Sequence, residues 1–172
     1  MRQVFIIVFS AIALFTSGCM SEPGIDKGTF EELNRTAQDL KAALTLSNPC
    51  DVPDTLQQRL ASGIAAVKNK VNSKEEHNLI AAYTQLFTTC KDGLLLCRYR
   101  TQFSGFDFFP KGRIYVSQEL DPLVEKYDLS MEKHVYKGTG QYMRSIDGNS
   151  VQVIWESARA QIKNIENMMN YP

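Results

Sequence analysis

The chain has no net charge: 19 lysines and arginines balance 19 aspartates and glutamates. Without a long-range field of either sign, it has nothing to concentrate nucleic acid or an anionic membrane around itself, and nonspecific DNA binding is disfavoured. Histidine is scarce, with only His77 and His134, and no His-Glu-x-x-His is present, so no local cluster exists for zinc. There is no Cys-x-x-Cys for thiol exchange, no Cys-x-x-Cys-His for haem attachment and no Gly-x-Ser-x-Gly nucleophile turn. Gly138-Thr139-Gly140 opens like a dinucleotide-binding loop, but Met143 stands where the third glycine belongs. Internal repeats and low-complexity segments are also missing. No cofactor and no metal site is expected from this pattern. An enzyme whose catalytic groups lie far apart in sequence remains open.

What is present is an ordinary globular composition, 44% hydrophobic and 22% charged over 172 residues, which suffices for one packed core. The first residues are of a different kind. Met1-Arg2-Gln3 brings one positive charge, Val4 to Phe15 is apolar apart from Ser10, and Thr16-Ser17-Gly18 leads with small residues to Cys19. That is a secretory signal layout. As a helix the apolar stretch would reach only about 18 Å, short of the roughly 30 Å of a hydrocarbon core, so a membrane span is disfavoured.

Ser17-Gly18-Cys19 after such a stretch resembles the lipobox of bacterial lipoproteins, from which only Thr16, in place of the usual leucine, departs. The resemblance covers the first 19 residues and implies that Cys19 is diacylglycerylated on sulfur, that the chain is cut before it and that the new amine is acylated, palmitate being a typical chain. It further implies an extracytoplasmic protein whose partner is membrane lipid through Cys19. With Met20 rather than aspartate at the next position, it implies the periplasmic face of the outer membrane in a Gram-negative cell. Residues 1–18 are then a signal peptide, 19–28 a lipidated tether and 29–172 one domain. Two or more acyl chains anchor stably. Met20 to Gly28 reaches about 30 Å when fully extended, which favours membrane-proximal partners.

Thr29-Phe30-Glu31-Glu32 has the form of a capping box, and Phe30, Leu33, Ala37, Leu40 and Leu44 recur at helical spacing, predicting a helix over about 29–46. Asp54 after Pro53 begins a second over about 54–71, with Leu56, Leu60, Ile64, Val67 and Val71 as its stripe. Ser73-Lys74-Glu75-Glu76 caps a third, which Gly93 is placed to end. With only Asn72 and Ser73 between them, the second and third helices must double back as an antiparallel hairpin. Leu94-Leu95-Leu96-Cys97 reads as another short helix, Asp121-Pro122 starts one to about Tyr127, and Val135 to Ile146 forms a loose β-hairpin. Asp147-Gly148 is a turn, and Val151, Ile154, Ala158, Ile162, Ile165 and Met169 define a terminal helix over about 150–169. The expected class is mainly α: a disulfide-stapled helical hairpin within a small helical domain, with a short β-hairpin in its C-terminal half.

In an exported domain Cys50, Cys90 and Cys97 favour pairing over free thiols. The hairpin geometry brings Cys50 to Cys90, and Cys50–Cys97 is the competing pair. Arg98 to Val116 interleaves Tyr99, Phe103, Phe106, Phe108, Phe109 and Tyr115 with Arg98, Arg100, Lys111 and Arg113. These rings either fill the core, with Phe109-Pro110-Lys111-Gly112 as a tight turn, or form a surface for a protein partner or the bilayer interface. The candidate partner or ligand surface is accordingly Arg98, Tyr99, Arg100, Phe103, Phe106, Phe108, Phe109 and Arg113. His77, in the first turn of its helix, reads as a solvated surface residue. The function expected is a non-catalytic protein-interaction module with an envelope protein as partner. The alternatives are a small-ligand carrier with an apolar pocket, or an enzyme with dispersed residues.

Overall fold

A computed structural model describes residues 24–45, 50–102, 111–135 and 140–170. Five α-helices and a three-stranded sheet run in the order α1 (Glu31–Ala43), α2 (Asp54–Val67), α3 (Lys74–Gln102), β1 (Arg113–Tyr115), a 3-10 turn (Gln118–Leu120), α4 (Asp121–Lys126), β2 (Met131–Val135), β3 (Tyr142–Asp147) and α5 (Ser150–Asn170). The mainly helical class and the terminal helix are as the sequence predicts. Helix α1 is shorter than its pattern because Thr29 does not cap it. Its hydroxyl instead donates to Asp26 Oδ2 at 2.7 Å, and Asp26 Oδ1 accepts the Gly28 amide at 3.0 Å. Asp26, a residue with no place in the expected capping box, organises the entry turn, and the Thr29 hydroxyl and the Gly28 amide hold its carboxyl below the ordinary value.

The second capping box forms as expected. Ser73 Oγ accepts the Glu76 amide at 3.1 Å and Glu76 Oε2 accepts the Ser73 amide at 3.2 Å. The same carboxylate also accepts the amides of Asn72 at 2.8 Å and of Asp26 at 3.1 Å. A buried glutamate thus ties the segment before α1 to the α2–α3 turn, and the Asn72 and Asp26 amides hold its pKa below the usual carboxylate range. A carboxylate with a depressed folded pKa adds stability that is complete above the unfolded value and is lost as pH falls through the folded one. Glu76→Ala, which strands three backbone donors, is expected to cost about 2–3 kcal/mol at neutral pH. The deficit should shrink on acidification, and urea midpoints of the two proteins at pH 7 and pH 3 would read this.

Gly93 does not end the third helix. Helix α3 continues through it for 29 residues and takes in Leu94 to Cys97. The reason is tertiary: a Cβ at position 93 would lie 2.5 Å from Trp155 Cη2 and 2.6 Å from Cζ2, so the missing side chain is where the indole packs. Such a contact outweighs the roughly 1 kcal/mol penalty of glycine inside a helix. Along α5, Ile154, Trp155, Ala158, Ile162 and Ile165 are fully buried, and with Leu79, Tyr83, Leu86 and Leu94 of α3 they form the centre of the core. The Phe30 and Tyr83 rings stack at 6.3 Å and bring α1 onto the same core.

The disulfide joins Cys50 to Cys97, with Cα atoms 5.4 Å apart, and Cys90 is a buried free thiol. The expected Cys50–Cys90 pair is therefore corrected, and the competing one is right. Two features moved the pairing. The chain from Cys50 to Pro53 is not helical, so each residue advances up to about 3.3 Å rather than 1.5 Å. Because α3 passes Gly93 unbroken, it presents Cys97 two turns beyond Cys90 at the level Cys50 reaches.

The sheet is antiparallel in the order β1-β3-β2, with Ile114 opposite Ile146 and His134 opposite Met143. The loose hairpin is the β2–β3 pair. Strand β1 was not foreseen, being only three residues long. The Asp147-Gly148 turn leads into α5, the Asn149 amide donating to Asp147 Oδ1 at 2.7 Å.

Candidate functional site

The described members of the expected surface, Arg98, Tyr99, Arg100 and Arg113, diverge. Arg98 is exposed on α3, while Tyr99 and Arg100, half-buried, turn to different neighbours. The Arg100 guanidinium approaches Cys50 Sγ at 4.0 Å and so lies against the disulfide. Arg113 is drawn into the sheet: Nε donates to Ser145 Oγ at 3.2 Å, Nη2 to the Ser145 carbonyl at 3.3 Å, and the guanidinium pairs with Glu132 at 3.0 Å. Phe103, Phe106, Phe108 and Phe109, like Cys19, lie outside the described residues, and so does half of the expected turn at 109–112. The apolar pocket that the carrier alternative expects from those rings therefore also falls outside the described residues.

Among the described members, Tyr99 is the one that opens on a cavity. A groove of about 600 Å³ lies where β1 runs into the 3-10 turn and faces the start of β3, lined among others by Tyr99, Tyr115, Ser117, Glu119, Tyr142 and Arg144. Its groups are held in place. The Tyr99 hydroxyl donates to Glu119 and accepts from Ser117 Oγ at 3.0 Å. The Glu119 carboxylate raises the Tyr99 pKa, so the phenol keeps its proton. Arg144 is anchored to Asp121, with Nη1 to Oδ1 at 2.8 Å and Nη2 to Oδ2 at 3.1 Å, a two-point pairing that fixes the guanidinium plane. Tyr142, by contrast, is 75% exposed at the rim. A smaller notch of about 280 Å³, lined by Ile25, Asn78 and Met168 among others, lies at the opposite end of α3, beside the segment that Glu76 pins.

Glu119, Tyr142 and Arg144 escaped the sequence reading because they come from two short elements, the 3-10 turn and β3, that lie more than 20 positions apart. The alternation of Tyr142 and Arg144 around Met143 was the available signal, and it was read only as a hairpin.

The chemistry elsewhere is sparse. His134 Nε2 lies 3.6 Å from Glu132 on an edge strand, but that carboxylate is already engaged by Arg113. Burial pushes the Cys90 thiol up to about 12, which makes it unreactive as a nucleophile near neutral pH. His77 is exposed, as its sequence context suggests. Among the described residues no three histidines, cysteines or carboxylates converge as metal ligands, and no helix is long and apolar enough to cross a membrane. Comparison with protein-family models, with curated proteins and with solved structures finds no match, so the functional reading rests on this chain's own residues.

Proposed function

We propose that the chain is a lipid-anchored extracytoplasmic module of the bacterial envelope that binds another envelope protein and catalyses no reaction, its anchor being acylated Cys19 and its site the periplasmic face of the outer membrane. The observation that supports this reading best is the polarity of the bundle. The segment leading back toward Cys19 is pinned at Glu76, near the start of α3. Tyr99 and the exposed Arg98 stand 22 or more residues further along the same continuous helix, about 33 Å or more at the helical rise. From Ile25, the last tether residue before that pin, back to Cys19 the chain spans at most about 22 Å. An anchor at one end and a preorganised polar and aromatic surface at the other suits a partner approached away from the bilayer. It suits the bilayer-interface version of the aromatic patch poorly.

Cys19→Ser is expected to move the protein from the membrane to the soluble fraction, and retention on membranes would remove the anchor from the account. A photo-crosslinking residue in place of Arg98 should yield one discrete protein adduct in cells, while the same residue in place of Lys74, at the pinned end, should not. Loss of the Arg98 adduct with a small molecule co-purifying instead would favour the carrier reading.

A further inference from the structure

The groove beside Tyr99 has a composition that selects for a ligand class. Three tyrosines, Tyr99, Tyr115 and Tyr142, contribute to its wall, and the rim ring of Tyr142 is 75% exposed on a strand rather than folded into the core. Exposed tyrosine combines a rigid apolar face with a polar edge and loses little entropy on binding. Between the rings sit donors and acceptors of both kinds: the Glu119 carboxylate, the Ser117 hydroxyl, the Gln118 amide and the Arg144 guanidinium. The charges cancel. The lining carries one carboxylate, Glu119, and one guanidinium, Arg144. An anion would meet the Glu119 carboxylate and a cation the Arg144 guanidinium, so a strongly charged ligand gains little here.

The volume of about 600 Å³ falls in the range of small-ligand clefts. The polar groups are also fixed before any ligand arrives, Tyr99 by Glu119 and Ser117, and Arg144 by Asp121. Preorganisation of this kind limits the ordering cost of binding. A ligand that offers flat C–H faces to stack on tyrosine, many neutral hydroxyls or amides to exchange hydrogen bonds, and no net charge is a saccharide.

From this arrangement we infer that the Tyr99–Tyr142 groove is a binding site for a neutral oligosaccharide. Tyr142 supplies the stacking platform, and Glu119 and Arg144 read the hydroxyl or acetamido groups. The site adjoins the partner surface at Arg98, and the two readings fail separately: crosslinking from Arg98 would still report a partner if the groove bound no sugar.

The test uses the full acylated protein in a non-glycosidic detergent and titration calorimetry with three probes: a β-1,4-linked N-acetylglucosamine tetramer, a neutral glucose tetramer and a sulfated oligosaccharide. Saturable binding of at least one neutral probe is expected at millimolar affinity or better, with the sulfated probe at least tenfold weaker. Tyr142→Ala should weaken the neutral probe at least tenfold. Tyr142→Phe, which keeps the ring, should stay within about threefold of the parent. Because Tyr142 is exposed, circular dichroism of both variants should match the parent. Absence of saturable binding by both neutral probes, tighter binding of the sulfated one, or an unchanged affinity in Tyr142→Ala would each overturn the assignment.

Discussion

Replacing Trp155 with alanine is expected to cost about 4 kcal/mol, the range for a large aromatic removed from a packed interior. Trp155 is fully buried, and its ring rests where a side chain at position 93 would otherwise project. The pairing makes a sharper statement than the single loss. In the parent, Gly93→Ala places a methyl within 2.5 to 2.8 Å of three ring atoms that the surrounding core prevents from moving away. The overpacking penalty of about 1–3 kcal/mol should therefore exceed the helix propensity that alanine returns, about 1 kcal/mol. Once Trp155 is alanine, the clash is gone and the same Gly93→Ala change should stabilise by about 1 kcal/mol. A change of sign between backgrounds, read by urea unfolding with unchanged slopes, is the expected signature. Equal effects in both backgrounds would show that the glycine is not there for the indole.

Loss of the Cys50–Cys97 bridge should cost a comparable amount. The linked residues are separated by 47 positions, and closing a loop of that length restricts the unfolded chain by about 4 kcal/mol in the chain-entropy model. Cys97→Ser, or reduction of the parent, should lower the unfolding midpoint accordingly. A nonreducing peptide map should recover Cys50 joined to Cys97, with Cys90 alkylated only after denaturation because it is buried. Recovery of a Cys50–Cys90 peptide would contradict the register of the hairpin. The bridge also lies beside Arg100, so its loss should loosen the end of α3 next to Tyr99 more than the end pinned by Glu76. Amide exchange along α3 would resolve the two ends.

The helices were legible wherever burial imposed its period. The stripes of α1, α2 and α5 and the Ser73–Glu76 box can be read from the chain because each depends on neighbours within one or two turns. Gly93 was misread since its local meaning, a helix stop, was overridden by Trp155, 62 positions later in the sequence. The cysteine pairing failed for a related reason: the level reached by Cys50 depends on whether four residues before α2 are extended. Glu76 was recognised as a cap, but its bond to the Asp26 amide spans 50 positions and has no sequence signature. The candidate site was the least legible part. Of the four described residues expected at a surface, Arg98, Tyr99, Arg100 and Arg113, only Tyr99 lines the groove, and its companions come from β1, the 3-10 turn and β3, which long-range pairing alone brings together.

Intact-mass analysis of the protein extracted from its native membrane tests the central claim most directly. The account predicts a chain beginning at Cys19, heavier than its amino-acid sequence by a diacylglyceryl group and an amide-linked fatty acid. A free, unmodified amino terminus, or a chain that still carries residues 1–18, would contradict it.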